Sequence, residues 1–263
     1  MNNLFKRIVL LSMIPFVGFV LFYIFPYTDI IRYSFSSAVN DLHFSLDNIG
    51  NVLQNEYFIL AVKNTVIFTC LSIPILVLLG YVLAYFIAML SDSRSKKFLL
   101  LLFIPSVIPS VSTIDIWNPI FSSGNMGGLL LLFLWKNMGL SVLIFTFGFT
   151  KIVPESCEAA SIDGASRLQI QKYIYIPTLF PDIIFCILLA IIQSSKVFRD
   201  VYLIFGNYPP RDLYLIPHFI FNKFNKLDYS ELSAGTLLYT ICEILPPLAA
   251  LLFFKSKKYK EVQ

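Results

Sequence analysis

The sequence predicts an all-α polytopic membrane protein with six transmembrane helices and both termini in the cytoplasm. Three observations lead there. The 263 residues are 57% hydrophobic and only 14% charged, with a mean hydropathy of +0.75, whereas a soluble domain carries roughly 45–50% apolar and about 25% charged residues. Six stretches are long enough to cross a hydrocarbon core of about 30 Å, which needs about 20 helical residues. Lysines and arginines crowd into alternate connections between them. This balance excludes a disordered chain, a nucleic-acid-binding domain and most soluble enzymes. The net charge of +4 is modest, so the placement of charge matters more than its total.

The first span, 8–30, follows Lys6 and Arg7 in the manner of a signal peptide. It runs beyond a 7–15-residue apolar region and ends without an A-x-A site, so it reads as a retained helix. The remaining spans are 62–90, 98–120, 129–149, 182–205 and 233–254. Each contains Pro, Ser, Thr or a lone charge, the pattern of helices that pack against one another or line a cavity. The connection 36–61 alternates polar residues with Phe44, Leu46, Ile49, Val52 and Leu53, an amphipathic pattern suited to the membrane interface. The connection 206–232 carries Pro209-Pro210 and then mixed aromatic and basic residues. No repeat, low-complexity tract or linker divides the chain, which reads as one domain over 1–263.

Basic residues set the orientation. Placing the N-terminus, 91–97, 150–181 and the C-terminal tail in the cytoplasm collects 12 of the 20 Lys and Arg residues, against Arg32, Arg211, Lys223 and Lys226 outside. That asymmetry satisfies the positive-inside rule. Cys70, Cys157, Cys186 and Cys242 form no CxxC pair, and His43 and His218 are the two histidines. A disulfide framework or zinc site is not expected.

The loop 150–181 carries the most information. Pro154 suits the first position of a helix running through Glu155, Glu158, Ala159 and Ala160. The carboxylates lie near its N-terminus, where the helix dipole favours them. Gly164 is expected to end that helix in a left-handed cap, Ser166 to cap a second short helix, and Pro177 to end the second before the fifth span. An ordinary amphipathic surface hairpin accounts for Pro154 and Gly164 but not for the rest of the spacing.

Glu158-Ala159-Ala160, three residues, Gly164, nine residues and Ile174-x-Ile176-Pro177 resemble the EAA motif of permease subunits of binding-protein-dependent ABC importers. The Asp163-Gly164-Ala165 core is similar to the form found in carbohydrate importers, with Ile176 where the family usually has Leu. The likeness extends to Phe44-x-Leu46-x-Asn48, Phe58, Asn64-Thr65, Phe103-Ile104-Pro105, Trp117, Trp135-Lys136, Val197-Phe198, Val201-Tyr202-Leu203, Tyr229 and Ser233-Ala234. The tail Lys-Ser-Lys-Lys-Tyr-Lys resembles the maltose-type first-permease branch. Two departures, a short connection from Ser122 to Gly128 and Gly206-Asn207-Tyr208-Pro209-Pro210 after the fifth span, lie outside and bear on solute contacts.

The resemblance implies a type I importer permease fold whose loop is a coupling helix docking on an ATPase. Its coupling residues are Glu155, Glu158, Ala159, Ala160, Asp163, Gly164, Ala165, Ile174 and Pro177. The implied partners are a second permease in a heterodimer, an ATP-binding cassette dimer that holds ATP and Mg, and an extracytoplasmic solute-binding protein. The implied solute is a mono- or oligosaccharide, with a non-sugar solute such as glycerol phosphate as the alternative. The implied location is a bacterial or archaeal cytoplasmic membrane.

Polar groups within spans are costly, about 2.5–3.5 kcal/mol for a charge at the bilayer centre, so they face a cavity or a partner. At about 1.5 Å per residue, Gln193 and Glu243 fall near the midplane, with Asn137 and Ser141 close to that level. Lys136, Lys196, Arg199 and Asp115 lie nearer the outer surface. Asn137, Ser141, Gln193, Ser194 and Glu243 suit sugar hydroxyls, and Phe198, Tyr239 and Trp135 suit ring faces. Glu243 equally suits a basic residue of the partner permease, and Lys136 is expected to extend toward the interface. No glycine is followed by Lys, so the chain has no P-loop. It is therefore a transport subunit without its own ATPase motif. A secondary transporter would show inverted repeats or paired intramembrane acids, and a membrane enzyme clustered His, Asp or Ser. Neither pattern is present.

Overall fold

The computed structural model describes residues 13–38, 41–90, 92–121 and 124–260. Lys6, Arg7 and Ser122 of the expected topology lie outside them. Helix α1 spans Met13–Ser34 and contains a π turn at Val20–Ile24. A short antiparallel hairpin follows, β1 (Ser36–Ala38) with β2 (Asp41–Phe44), pairing Ser36 with Phe44. Then come α2 (Asp47–Gln54), α3 (Glu56–Ala88), α4 (Asp92–Val107), α5 (Ser110–Phe121) and α6 (Met126–Phe149). The chain continues through α7 (Pro154–Ile162) and α8 (Arg167–Phe205), then a 3-10 turn (Arg211–Leu213), α9 (Ile216–Asn225) and α10 (Tyr229–Lys260). Among the described residues four helices are long and apolar enough to cross a membrane, and five if a bent pair counts as one span.

That bent pair is the expected third span. Ser93–Val107 and Ser110–Ile120 meet at 91°. The residue before a proline is driven out of the helical region, and Ile108 precedes Pro109. Ser112 N–H then donates to Pro109 O at 3.0 Å and starts α5. A second difference concerns Pro177, which does not end a helix. Gln171–Tyr175 form a π turn and Pro177 falls in the first turn of the α segment that follows. The ladder is already shifted there, so a missing N–H breaks little. The fifth helix therefore starts at Arg167, not 182. The hairpin is the exception to the all-α expectation.

The residues divide into two compact units. One takes the chain up to Ala61 together with Phe219–Cys242. In it the buried Asn48 amide donates to Tyr33 O at 2.9 Å and Ser36 O at 2.7 Å, which fixes the hairpin over α2. Lys223 Nζ bonds Asp228 Oδ2 at 2.9 Å and Glu231 Oε2 at 2.8 Å, and Asn55 donates to the same Glu231 oxygen at 3.2 Å. Asp228 Oδ1 accepts from Glu231 N–H at 3.2 Å and so caps α10.

The other unit comprises Val62–His218 and the chain from Glu243 onward. Helix α6 is its centre, with α4 and α8 packed on it. A Cβ at Gly139 would lie 2.3 Å from Leu102 O, so the backbones of α4 and α6 touch through that glycine. Phe68, Leu129, Leu132 and Phe133 fill one part of the core, and Val142, Phe145 and Leu179 another. Asn64 Nδ2 donates to Arg211 O at 2.8 Å and Tyr214 O at 3.0 Å, and Thr65 Oγ1 accepts from Ile216 N–H at 3.1 Å. The Asn64-Thr65 pair thus ties α3 to the turn that precedes α9.

Candidate functional site: a polar cleft and a helical knob

The second unit holds a cleft of about 600 Å³ between the break at Ile108–Pro109, the middle of α6 and the C-terminal half of α8. Spacings of three and four along α8 put Gln193, Lys196, Val197 and Asp200 on one stripe, which faces it. Lys136 and Asn137 of α6 and Ser106 and Ser110 beside the break complete its polar lining, with Phe103, Phe133 and Phe198 as aromatic walls. Hydroxyl, amide and ring surfaces in one concavity are what a polyhydroxylated solute needs. Irregular backbone within a membrane is tolerated where it lines such a cavity.

A buried ion pair organises the cleft. Lys136 Nζ lies 2.5 Å from Asp200 Oδ1, with side chains only 15% and 10% exposed, and donates to Ser110 Oγ at 2.9 Å. Lys136 therefore does not extend to the interface. An oppositely charged partner and a hydroxyl on the adjoining elements satisfy it in place.

Of the solute-path residues expected from sequence, Asn137, Gln193 and Phe198 line the cleft. Ser195, rather than Ser194, faces it and donates to Glu243 Oε1. Ser194 Oγ turns back to Ile191 O at 2.7 Å. Ser141 is 2% exposed, lies 3.3 Å from Leu76 O and 3.2 Å from Cys186 Sγ, and borders a separate void of about 10 Å³ with Asn137 and Gln193. Trp135 packs on Trp117 with ring centroids 5.5 Å apart, and Asp115 is exposed on α5. Tyr239 belongs to the first unit. Sequence reasoning missed Asp200, Ser110 and Ser195. The available signal was that Lys136 and Asp200, each unaffordable alone, sit in adjacent spans at similar depth.

Phe198 has its own support. His218 meets it edge-on with centroids 4.7 Å apart and stacks on Tyr214 at 5.6 Å. His218 is 1% exposed, and its Nδ1 accepts from Leu215 N–H at 3.1 Å. Burial pushes its pKa down to about 4. A neutral ring thus backs Phe198, held by the turn that Asn64 and Thr65 fix.

The second region is the knob at 154–177. Helix α7 begins with Pro154 and ends at Asp163. Gly164 has φ +83°, its N–H donates to Ser161 O at 3.1 Å, and Ala165 N–H donates to Ala160 O at 2.9 Å. Those two bonds form a Schellman cap, which requires the left-handed residue that glycine supplies. Ser166 and Gln169 form a reciprocal capping box at the start of α8. Glu155, Glu158, Ala159, Asp163, Gly164 and Pro177 are exposed, while Ala160, Ala165 and Ile174 are half-buried. Ile162 and Leu168 stand 85% and 81% exposed on either side of the cap. The knob is anchored by Lys151 to Asp182 at 2.6 Å, by Tyr81 donating to Gln171 Oε1, and by Tyr175 against Tyr85 and Phe149.

The profile of the family described as "binding-protein-dependent transport system inner membrane component" matches residues 61–255. The arabinooligosaccharides transport system permease protein AraP of Bacillus subtilis is 24% identical over 92% of this chain and 85% of its own length. The multiple sugar-binding transport system permease protein MsmF of Streptococcus mutans is 24% identical over 94% of both. A bacterial ABC transporter for import of the acidic polysaccharide alginate has a chain that superimposes with a TM-score of 0.77 at 19% identity, covering 96% of each chain.

Two outcomes follow from the geometry. Asp200→Ala strands a buried ammonium and lowers stability by about 3–5 kcal/mol, whereas Lys136→Met with Asp200→Leu loses much less; thermal unfolding in detergent measures both. His218 binds its proton near pH 6.5 when unfolded but only near pH 4 when folded. Stability from this group is thus complete above pH 6.5 and falls by about 3 kcal/mol as pH drops through that window. Unfolding midpoints across pH 4–7 should show the decline, and His218→Gln should flatten it.

Proposed function

We propose, from the premise that the chain belongs to the family of inner membrane components of binding-protein-dependent transport systems, that it forms half of a sugar importer's translocation path. It is a multi-pass membrane protein and a transport component, not an enzyme. The cleft at Asn137, Gln193 and Phe198 is the section through which the solute passes, with Glu243 acting through Ser195. Relatives named for arabinooligosaccharides and multiple sugars support a carbohydrate solute. The topology in this reading has six spans and cytoplasmic termini in a bacterial or archaeal cytoplasmic membrane. The broken α4–α5 pair counts as one span and α10 as the last. A second permease completes the path, and a solute-binding protein delivers to its outer mouth.

The knob is the coupling element. The observation that carries this is the Schellman cap at Gly164, which sets the short helix α7 at a fixed angle to the start of α8 and leaves Ile162 and Leu168 bare beside Glu155, Glu158 and Asp163. Apolar side chains at that exposure in an aqueous loop suit a groove in another protein. That partner is an ATPase dimer, which binds the ATP and Mg that this chain has no P-loop to hold. Its closure drags the knob, and the π turn with the Tyr81–Gln171 bond passes the displacement to α3 and α8. The solute moves only if its affinity differs between the two states.

Gly164→Glu tests the coupling role. A glutamate in the left-handed region costs about 1–2 kcal/mol and destroys the cap geometry. The variant is expected to insert and assemble, yet ATP-driven uptake falls at least about tenfold for that loss of fit. Wild-type uptake by a stably inserted variant would refute the assignment.

A further inference from the structure

The charged groups of the cleft do not balance. Its lining carries Lys136, Lys196 and Arg199 against the single carboxylate of Asp200. Asp200 is consumed by Lys136, at 2.5 Å. Lys196 and Arg199 are exposed where they border the cleft, and neither has an ion pair with a described residue. Glu243, behind Ser195, is the other acid nearby. Counting it still leaves a surplus of one positive charge. Positive groups one turn apart on a helix, both lining a concavity bounded by aromatic walls, attract an anion into the site more strongly than they would in open water.

From this surplus we infer that the transported carbohydrate is anionic, bearing carboxylate or phosphate groups that Lys196 and Arg199 receive while Asn137 and Gln193 take hydroxyls. The inference rests on the reading of the cleft as a sugar path and adds the charge class of the sugar. The pairing of Lys136 with Asp200 sharpens the assignment. It leaves one cation of the three structurally committed and two free to act on cargo. Arginine's planar fork matches a carboxylate or phosphate in two parallel bonds, and a lysine one turn away supplies a point charge for a neighbouring group. A neutral sugar offers these cations hydroxyl oxygens as acceptors but no opposite charge.

The test uses the complete importer in proteoliposomes, with its partner permease, ATPase dimer and solute-binding protein. Two probes are matched in size: a hexuronate oligosaccharide and the same oligosaccharide with its carboxylates reduced to alcohols. A hexose 6-phosphate serves as a third probe to separate phosphate from carboxylate. Because one binding protein serves every variant, a change in the acidic-to-neutral ratio of kcat/KM belongs to the permease. Lys196→Gln with Arg199→Gln is expected to lower that ratio at least about tenfold, as loss of a charge-assisted bond predicts. Lys196→Arg alone, with Arg199 kept, is expected to hold the ratio within about threefold, since a charge remains at each position. An unchanged ratio in the Gln variant overturns the inference. So does failure of that variant to assemble with the partner permease, which would mean that partner carboxylates answer the two cations. Entry of the neutral probe alone sinks this inference and leaves the sugar reading standing. Exclusion of all three probes by an importer that still hydrolyses ATP sinks both.

Discussion

A charge inside a membrane must be housed, and the Lys136–Asp200 pair is how this chain houses two. The pair joins α6 to α8 and reaches through Ser110 to the break between α4 and α5. Three elements are therefore fixed in register around a polar concavity. The break belongs to the same arrangement. Pro109 forces the chain out of the helix at Ile108, and the resulting 91° corner brings a serine hydroxyl to the lysine. A straight helix there would present a closed wall. Apolar groups of similar volume would preserve the packing, so what the pair adds is the polar character of the cleft and not stability alone.

Much of the fold was legible because hydropathy is a one-dimensional signal. The span expected at 129–149 matches α6 (Met126–Phe149) within three residues, and that expected at 62–90 overlaps α3 (Glu56–Ala88), which starts six residues earlier. The loop was legible for a different reason: Pro154, Gly164 and Ser166 each have a local conformational requirement that packing does not need to supply. Failures occurred where local rules compete. Pro177 looked like a helix end, but a π turn ending two residues earlier, at Tyr175, had already displaced the ladder. The third span looked continuous because Ile108–Pro109 is apolar, and hydropathy does not register a corner. The small hairpin depends on the Asn48 amide bonding two carbonyls far back in the chain, which no local window contains.

The cleft was half legible. Counting residues along a helix gives depth, and Asn137 and Gln193, expected at similar depth, both line the cleft. It does not give azimuth, so Ser194 was chosen where Ser195 faces inward, and Ser141 was placed on the path where it packs against Cys186. His218 illustrates a further gap. Its sequence neighbourhood offers no catalytic or metal spacing, yet its neutral ring backs the aromatic wall at Phe198. The Asn64-Thr65 pair, visible in sequence only as a resemblance, holds the turn that places it.

In the proposed reading the chain supplies a path and a handle, and a partner supplies the engine. The cleft lies in the helical bundle, the knob stands outside it with bare Ile162 and Leu168, and no glycine-lysine sequence for nucleotide phosphates exists. The most direct test is uptake of a labelled oligosaccharide into proteoliposomes that hold either the full assembly or this chain with its partner permease alone. The account predicts accumulation only when the ATPase and ATP are both present. Accumulation by the permeases alone, driven by an ion gradient, would contradict it and make this protein a secondary transporter.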